Sequence, residues 1–367
     1  MKKLVTVRQL IFILISSMVT LKVLLLPSLL AKDIGRDSYL FVFTFLFFDF
    51  IILITFVFIF NKYPDLSFYE IIKKLFGTII AKIIMFCFFV FFFIKCWAVF
   101  QTNYNYLNEN LYTNLNWLTF SLPILFGVLY MAKFGVNAAA RLMEVCFPVI
   151  VIGFILALTV GLFRADFSNL LPFCEKGYFI HMPKILRYSF WFGDYVIFVV
   201  FFGNIKQEKR QNLKVLISVL ISIFIVVFFI AIVYAVFDYN TATHSNAISD
   251  ILQIIPAGSD VGTFDWVLIL IWDIALFLFF TFNALGAFYS FRQTFFKRWQ
   301  LFTISFILAL VLLINILTSF DIHNSIIFVQ NYAWYFCFAM QYVVPILIFL
   351  FSFRLKRSNN AKVSLEK

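Results

Sequence analysis

Lys22, Asp194 and Asp273 each interrupt a long apolar run. An ionisable side chain at the centre of a bilayer costs at least about 2.5–3.5 kcal/mol on insertion scales, so it needs an interior partner or a wet cavity. At 1.5 Å per helical residue, Lys22 lies about 12 Å from the outer end of its run, and Asp194 and Asp273 lie about 13–14 Å into theirs. A shared level and compensating signs predict that the Lys22 ammonium pairs with Asp273, with Asp194 as a further partner. Trp191 and Tyr195 flank Asp194, either lining a pocket or packing in the core or against lipid; Gly193 directly precedes it, and Ser16, Ser17 and Thr20 precede Lys22 on their own run. Hydroxyls and a glycine at such points suit either freed backbone groups that bind a small ligand, or ordinary back-bonding and packing within intact helices. Lys82 and Lys95 stand near the ends of their run, where a long stem lets the ammonium reach the interface. Arg141 and Glu144, three residues apart, are either an intrahelical ion pair or a gate element.

The elements that must hold these residues are membrane spans. The chain has 367 residues, 63% hydrophobic and 13% charged, against roughly 45–50% and about 25% in a soluble domain. Ten stretches are long enough to cross about 30 Å of hydrocarbon as helix: 9–30, 39–60, 79–100, 117–131, 142–162, 185–203, 213–234, 264–290, 300–317 and 327–353. This predicts an all-α integral membrane protein with one polytopic domain over 1–367. With both termini cytoplasmic, 21 Lys and Arg fall inside and 6 outside, as the positive-inside rule requires. The net charge of +11 therefore sets topology and contacts anionic lipid, and 354–367 is a short basic cytoplasmic tail. Residues 61–78 carry Phe68, Ile71, Ile72 and Leu75 against Lys73 and Lys74, the pattern of a helix lying on the inner surface. In 237–263, Ile248, Ile251, Leu252, Ile254 and Ile255 at helical spacing predict a packed external helix. The apolar N-terminal run lacks a small-residue cleavage site and reads as a retained first span.

Several chemistries are excluded. Cys87, Cys96, Cys146, Cys174 and Cys337 are too scattered for a disulfide framework or a zinc site. His181, His244 and His323 all fall in external loops, so no histidine pair shares an intramembrane level and an enzyme is not expected. No nucleotide-binding loop or cofactor fingerprint is present, and nucleic acid is not an expected partner.

Gly135, Arg141 and Glu144 form G-x5-R-x2-E. After one span, Asp166, Asn169, Leu170, Leu171 and Pro172 form D-x2-N-L-L-P. With Leu26-Pro27, Tyr63-Pro64-Asp65-Leu66-Ser67, Glu70, Gly77 and Phe192-Gly193-Asp194, this pattern resembles the B subunit of bacterial spore germinant receptors. The resemblance covers nearly the whole chain and implies an amino-acid permease-like fold of the APC superfamily. Such a fold is LeuT-like, with a 5+5 inverted repeat (about 7–164 and about 180–353) and broken helices 1 and 6. It further implies a small germinant, separate A and C subunits, no cofactor, and residence in the bacterial cytoplasmic or spore inner membrane. Ser16, Ser17, Thr20, Trp191, Gly193 and Asp194 become the expected ligand contacts. Lys22 with Asp273 becomes an internal substitute for a coupling cation, and Arg141 with Glu144 a family gate. A proton- or cation-coupled amino-acid permease is the alternative function.

The charge asymmetry generates a test. A cysteine introduced at Asn212 should be labelled by a membrane-impermeant maleimide only from the cytoplasmic side, and labelling from outside alone would invert the topology.

Overall fold

The computed structural model describes residues 5–111, 114–173, 182–244, 246–253, 265–295 and 300–353. Cys174, Ile254, Ile255 and the basic tail lie outside the described residues. The described chain is helical apart from turns and one isolated β-bridge between Val5 and Ile205. Among the described residues eight helices are long and apolar enough to cross a membrane, and a shorter apolar helix, α10, covers Phe302–Leu317. Together with an irregular segment at 182–201, they fall on the ten stretches expected.

Helix α1 (Val7–Asp33) starts at a capping box in which Thr6 and Gln9 exchange side-chain and backbone hydrogen bonds. It is buried along almost its whole length, including Ser16, Ser17, Thr20 and Lys22. A helix apolar all round belongs at the centre of a bundle. Around it pack α2 (Ser38–Lys62), α5 (Val136–Arg164), α7 (Gln211–Phe237) and α9 (Asp265–Thr294). The broadest helix pair is α9 with α3 (Phe68–Asn110). Helices α4 (Trp117–Phe134) and α5 turn rows of large apolar side chains outward, among them Phe126, Tyr130, Ile152 and Phe163. Hydrocarbon is the solvent such a face fits.

The expected break in helix 1 is absent, because α1 runs unbroken through the serines. The Thr20 hydroxyl donates to the Ser16 carbonyl at 2.7 Å, so it bonds back within the helix instead of capturing a freed group. The run contains no glycine at that level, and its Pro27 is accommodated within the helix.

Segment six is different. A single turn, α6 (Met182–Ile185), leads into 3-10 helix at Leu186–Trp191, and a second 3-10 stretch covers Asp194–Phe201. Between them Phe192 is extended and Gly193 is left-handed, with φ of 73°. At about 2.0 Å per residue the fourteen 3-10 residues cover about 28 Å, more than the same number would in α-helix.

The amphipathic reading of 68–76 holds. Ser67 and Glu70 form a capping box, Phe68, Ile71 and Ile72 are buried, and Lys73 and Lys74 are exposed. Gly77 (φ 83°, ψ 174°) then kinks α3 into its membrane-crossing part. Gly135 takes nearly the same conformation (φ 81°, ψ −179°) and joins α4 to α5. The short helix α8 (Ala247–Gln253) buries Ile248 and Ile251, the packing expected of it. The final span runs from α11 (Ile322–Phe328) through α12 (Trp334–Phe338) to α13 (Val344–Ser352), with π turns at Val329–Ala333 and Ala339–Val343. Inserted π turns re-aim side chains and recur at functional sites.

Backbone with φ near +80° and extended ψ is essentially reserved for glycine and costs other residues about 1–3 kcal/mol. Since nothing stands within 4 Å of a Cβ at Gly135, Gly135→Ala and Gly135→Ser should destabilise equally. Thermal unfolding of the detergent-solubilised protein, followed by size exclusion, measures the loss.

Candidate functional site

The break in segment six exposes a carbonyl at Phe192 and an N–H at Gly193, and each is met by a charged side chain from another span. Asp49, at the middle of α2, accepts from the Gly193 N–H at 2.9 Å through Oδ2 and from the Tyr342 hydroxyl at 2.8 Å through Oδ1. Lys95 of α3 donates to the Phe192 carbonyl at 3.0 Å and to Asp194 Oδ1 at 3.1 Å. Lys22 of α1 donates to Asp194 Oδ2. Gln341, in the second π turn, donates from Nε2 to the same Phe192 carbonyl at 2.7 Å, while its own carbonyl accepts from the Tyr195 hydroxyl. All four charged side chains are buried, with Lys22 fully inaccessible. Lys95 also stands 4.7 Å over the Phe190 ring and Lys22 5.7 Å over the Phe192 ring, a favourable placement for a desolvated ammonium.

Local backbone makes this arrangement possible. Only a residue without Cβ fits at Gly193, because a Cβ there would stand 2.5 Å from Gln341 Cγ in addition to requiring the left-handed conformation. The ring of Phe45 stacks on Phe192 at 4.8 Å and holds the extended residue in place. Asp194 opens the second 3-10 stretch, and the N-terminal end of a helix favours a carboxylate. The site thus sets two ammonium groups against two carboxylates, drawn from α1, α2, α3 and segment six.

Three sequence expectations need correction. Lys22 pairs with Asp194 but not with Asp273. Asp273 instead bonds the Asn103 side chain, eight residues beyond Lys95 on α3, or about 12 Å along the helix axis. Lys95 does not reach for the interface. Helix α3 continues ten residues past Phe100 to Asn110, which puts Lys95 deep in the bundle; Lys82, by contrast, is exposed as expected. Finally, Arg141 is exposed and makes no pair with Glu144. Glu144 accepts from Arg8 and, at 2.7 Å, from Gln9 Nε2, so the motif glutamate fastens α1 to α5.

The other expected residues fall as follows. Trp191 is buried beside Phe190, and its indole N–H has no partner; the Ser16, Ser17 and Ser189 hydroxyls and Gln341 Oε1 are likewise unpartnered. Asp166 of the second motif bonds Ser168, which holds its carboxyl below the usual carboxylate range. Its backbone N–H and the Asn169 side chain both donate to the Ala235 carbonyl, tying that loop to α7. Asp49, Gln341 and Tyr342 are participants that sequence reasoning passed over, while Tyr195, singled out beside Asp194, donates to the Gln341 backbone carbonyl. Asp49 carried a legible signal, since it sits ten residues, or about 15 Å, into its apolar run, at the level of the other charges. Gln341 and Tyr342 owe their direction to the π turn, which leaves no local mark.

The family model described as spore germination protein matches residues 4–324 of the chain. No curated protein matches it.

Removing one member of a buried ion pair costs about 3–5 kcal/mol, because the other is left uncompensated. Lys22→Met and Asp194→Asn should each lower the unfolding midpoint sharply and the double variant by clearly less than their sum. Lys22→Met with Asp273→Asn should be additive, and coupling there of more than about 0.5 kcal/mol would restore the discarded pair.

Proposed function

As the chain belongs to the spore germination protein family, we infer that it is the membrane-embedded subunit of a germinant receptor, binding an amino acid or similar small zwitterion at the break in segment six. The observation that carries this reading is the paired carbonyl and N–H at Phe192 and Gly193, set between charged side chains in the bilayer interior. Freed backbone of this kind, at the junction of two half-helices, is how permease folds hold zwitterions: the positive end of one half faces the carboxylate and the carbonyl end of the other faces the cation. Residues 7–164 and 180–353 would be the inverted repeats of a LeuT-like fold, with α1 and segment six as corresponding first helices and only the second of them broken. Both termini would face the cytoplasm, and in the spore inner membrane the chain would work with separate A and C subunits.

The clasp of Arg8 and Gln9 on Glu144 supports a gate at the cytoplasmic end, with Glu144 as its fixed part. Arg141, three residues away on the exposed side of α5, is placed for a partner subunit or lipid phosphate. A cation-coupled amino-acid permease uses the same break and the same half-helices, and it is the competing reading.

The two readings part in a reconstituted system. A receptor subunit in proteoliposomes should accumulate labelled amino acids no faster than protein-free vesicles, whereas spores carrying Asp194→Asn should lose amino-acid-triggered germination. Uptake driven by a proton or sodium gradient would decide for the permease.

A further inference from the structure

A cavity of about 610 Å³ opens between the start of α1 and the start of α7, and its walls are of two kinds. Phe12 of α1 with Leu213 and Ile217 of α7 form an apolar side, and Arg8, Arg210 and Lys214 with Glu208 form a charged rim. Two of the three cations have partners, since Arg8 bonds Glu144 and Lys214 stands 3.4 Å from Glu208. Among the described residues the Arg210 guanidinium has no carboxylate partner, which leaves the rim with one unbalanced positive charge. Arg210 also lies in the left-handed region, with φ of 58°, where glycine or asparagine is the ordinary occupant. A guanidinium is thus held at this point on backbone that does not favour it. From the rim an apolar stripe continues along α7, where Leu213, Ile217, Ile221 and Phe224 recur at helical spacing and are all exposed. The stripe is about 16 Å long, close to the half-thickness of a bilayer's hydrocarbon, about 15 Å.

We propose that this groove binds one anionic phospholipid, with its phosphodiester on Arg210 and Lys214 and its acyl chains laid along α7 past Ile217 and Ile221. A phosphodiester carries the single negative charge that the rim lacks, and a guanidinium offers it two parallel N–H donors. Basic pockets between membrane helices hold such headgroups for this reason. Phe12, stacked on Phe147 of α5 at 4.1 Å, gives the α1 wall a fixed apolar surface. Lys206 and Lys209, exposed on the link that leads to α7, add attraction for an acidic headgroup without lining the cavity. A zwitterionic lipid brings an ammonium of its own to a rim that already holds three cations, and a free phosphate uses the rim but none of the apolar wall. Because α1 and α7 pack on each other and both line the cavity, the occupant bridges their first turns. The groove lies apart from the break in segment six and needs no assumption about what binds there.

Native mass spectrometry of the purified full-length chain, with phosphatidylglycerol or phosphatidylcholine of the same acyl chains added in detergent, reads occupancy directly. One phosphatidylglycerol should be retained saturably, and phosphatidylcholine about tenfold less well. Arg210→Asn with Lys214→Gln discharges the rim; asparagine keeps the left-handed backbone, and both positions are exposed. This double variant should retain phosphatidylglycerol about tenfold less well or worse. Lys73→Gln with Lys74→Gln removes the same charge from the surface helix ahead of Gly77 and should leave retention unchanged. Glycerol 3-phosphate at the same concentration should not displace the lipid. If the rim variant is recovered poorly, Lys214→Gln alone reads the same loss at smaller size. No retained phosphatidylglycerol, equal retention of the two lipids, or equal loss in both double variants overturns the proposal. Displacement by glycerol 3-phosphate overturns it as well, because the cavity would then be an anion site with no use for the apolar stripe.

Discussion

A peptide group that loses its helical partner inside a bilayer has no water to turn to, and each such group left bare costs several kilocalories per mole. The Phe192–Gly193 step imposes that condition, and much of the interior of this protein is arranged to meet it. Asp49, Lys95 and Gln341 each reach the step from a different span. Charging those side chains creates a second requirement, because a lone ammonium or carboxylate at that depth is costlier than a bare peptide group. Asp194 and Lys22 meet it. The break and the four charges are therefore one construction, and neither part is stable without the other.

The same construction explains which helices are central. Helix α1 brings Lys22, α2 brings Asp49 and α3 brings Lys95, so three spans must approach segment six at one level. Helices that bring nothing to the break, such as α4, lie at the rim and turn bulky apolar residues outward. Where α1 begins, the bundle is fastened again. Val5 exchanges backbone hydrogen bonds with Asn204 and Lys206 at 2.8 and 2.9 Å, and Glu144 holds Arg8 and Gln9. Helix α1 is thus tied to segment six deep in the bundle, and the residue that leads into α1 is tied to the chain that follows segment six.

Much of this was legible in the amino-acid order, and the failures have specific physical causes. Apolar length placed the spans, Gly193 marked the break, and the Ser67–Glu70 box with the apolar face that follows marked the helix ahead of Gly77. The depth argument found Lys22 and Asp194. It failed for Lys95 because a run of hydrophobicity ends where polar residues begin, whereas the helix carried on through Gln101, Thr102 and Asn103, which are buried. It failed for Asp273 because equal depth says nothing about which way a helix faces. The predicted break in α1 failed because hydroxyls alone do not open a helix when their best acceptor is the carbonyl one turn back. The π turn that swings Gln341 and Tyr342 inward is a property of packing and has no local signature.

The distance in sequence between Lys22 and its carboxylate, 172 residues, has a consequence for biogenesis. At about 5–20 residues per second of synthesis, Asp194 leaves the ribosome roughly ten to thirty seconds after Lys22. Through that interval the first span resides in the membrane with its ammonium uncompensated, at the insertion penalty of about 2.5–3.5 kcal/mol that a central lysine carries. Leu24, Leu25, Leu26, Leu29 and Leu30, on either side of Pro27 and Ser28, supply the offsetting apolar surface, which makes those leucines a requirement of insertion as well as of packing.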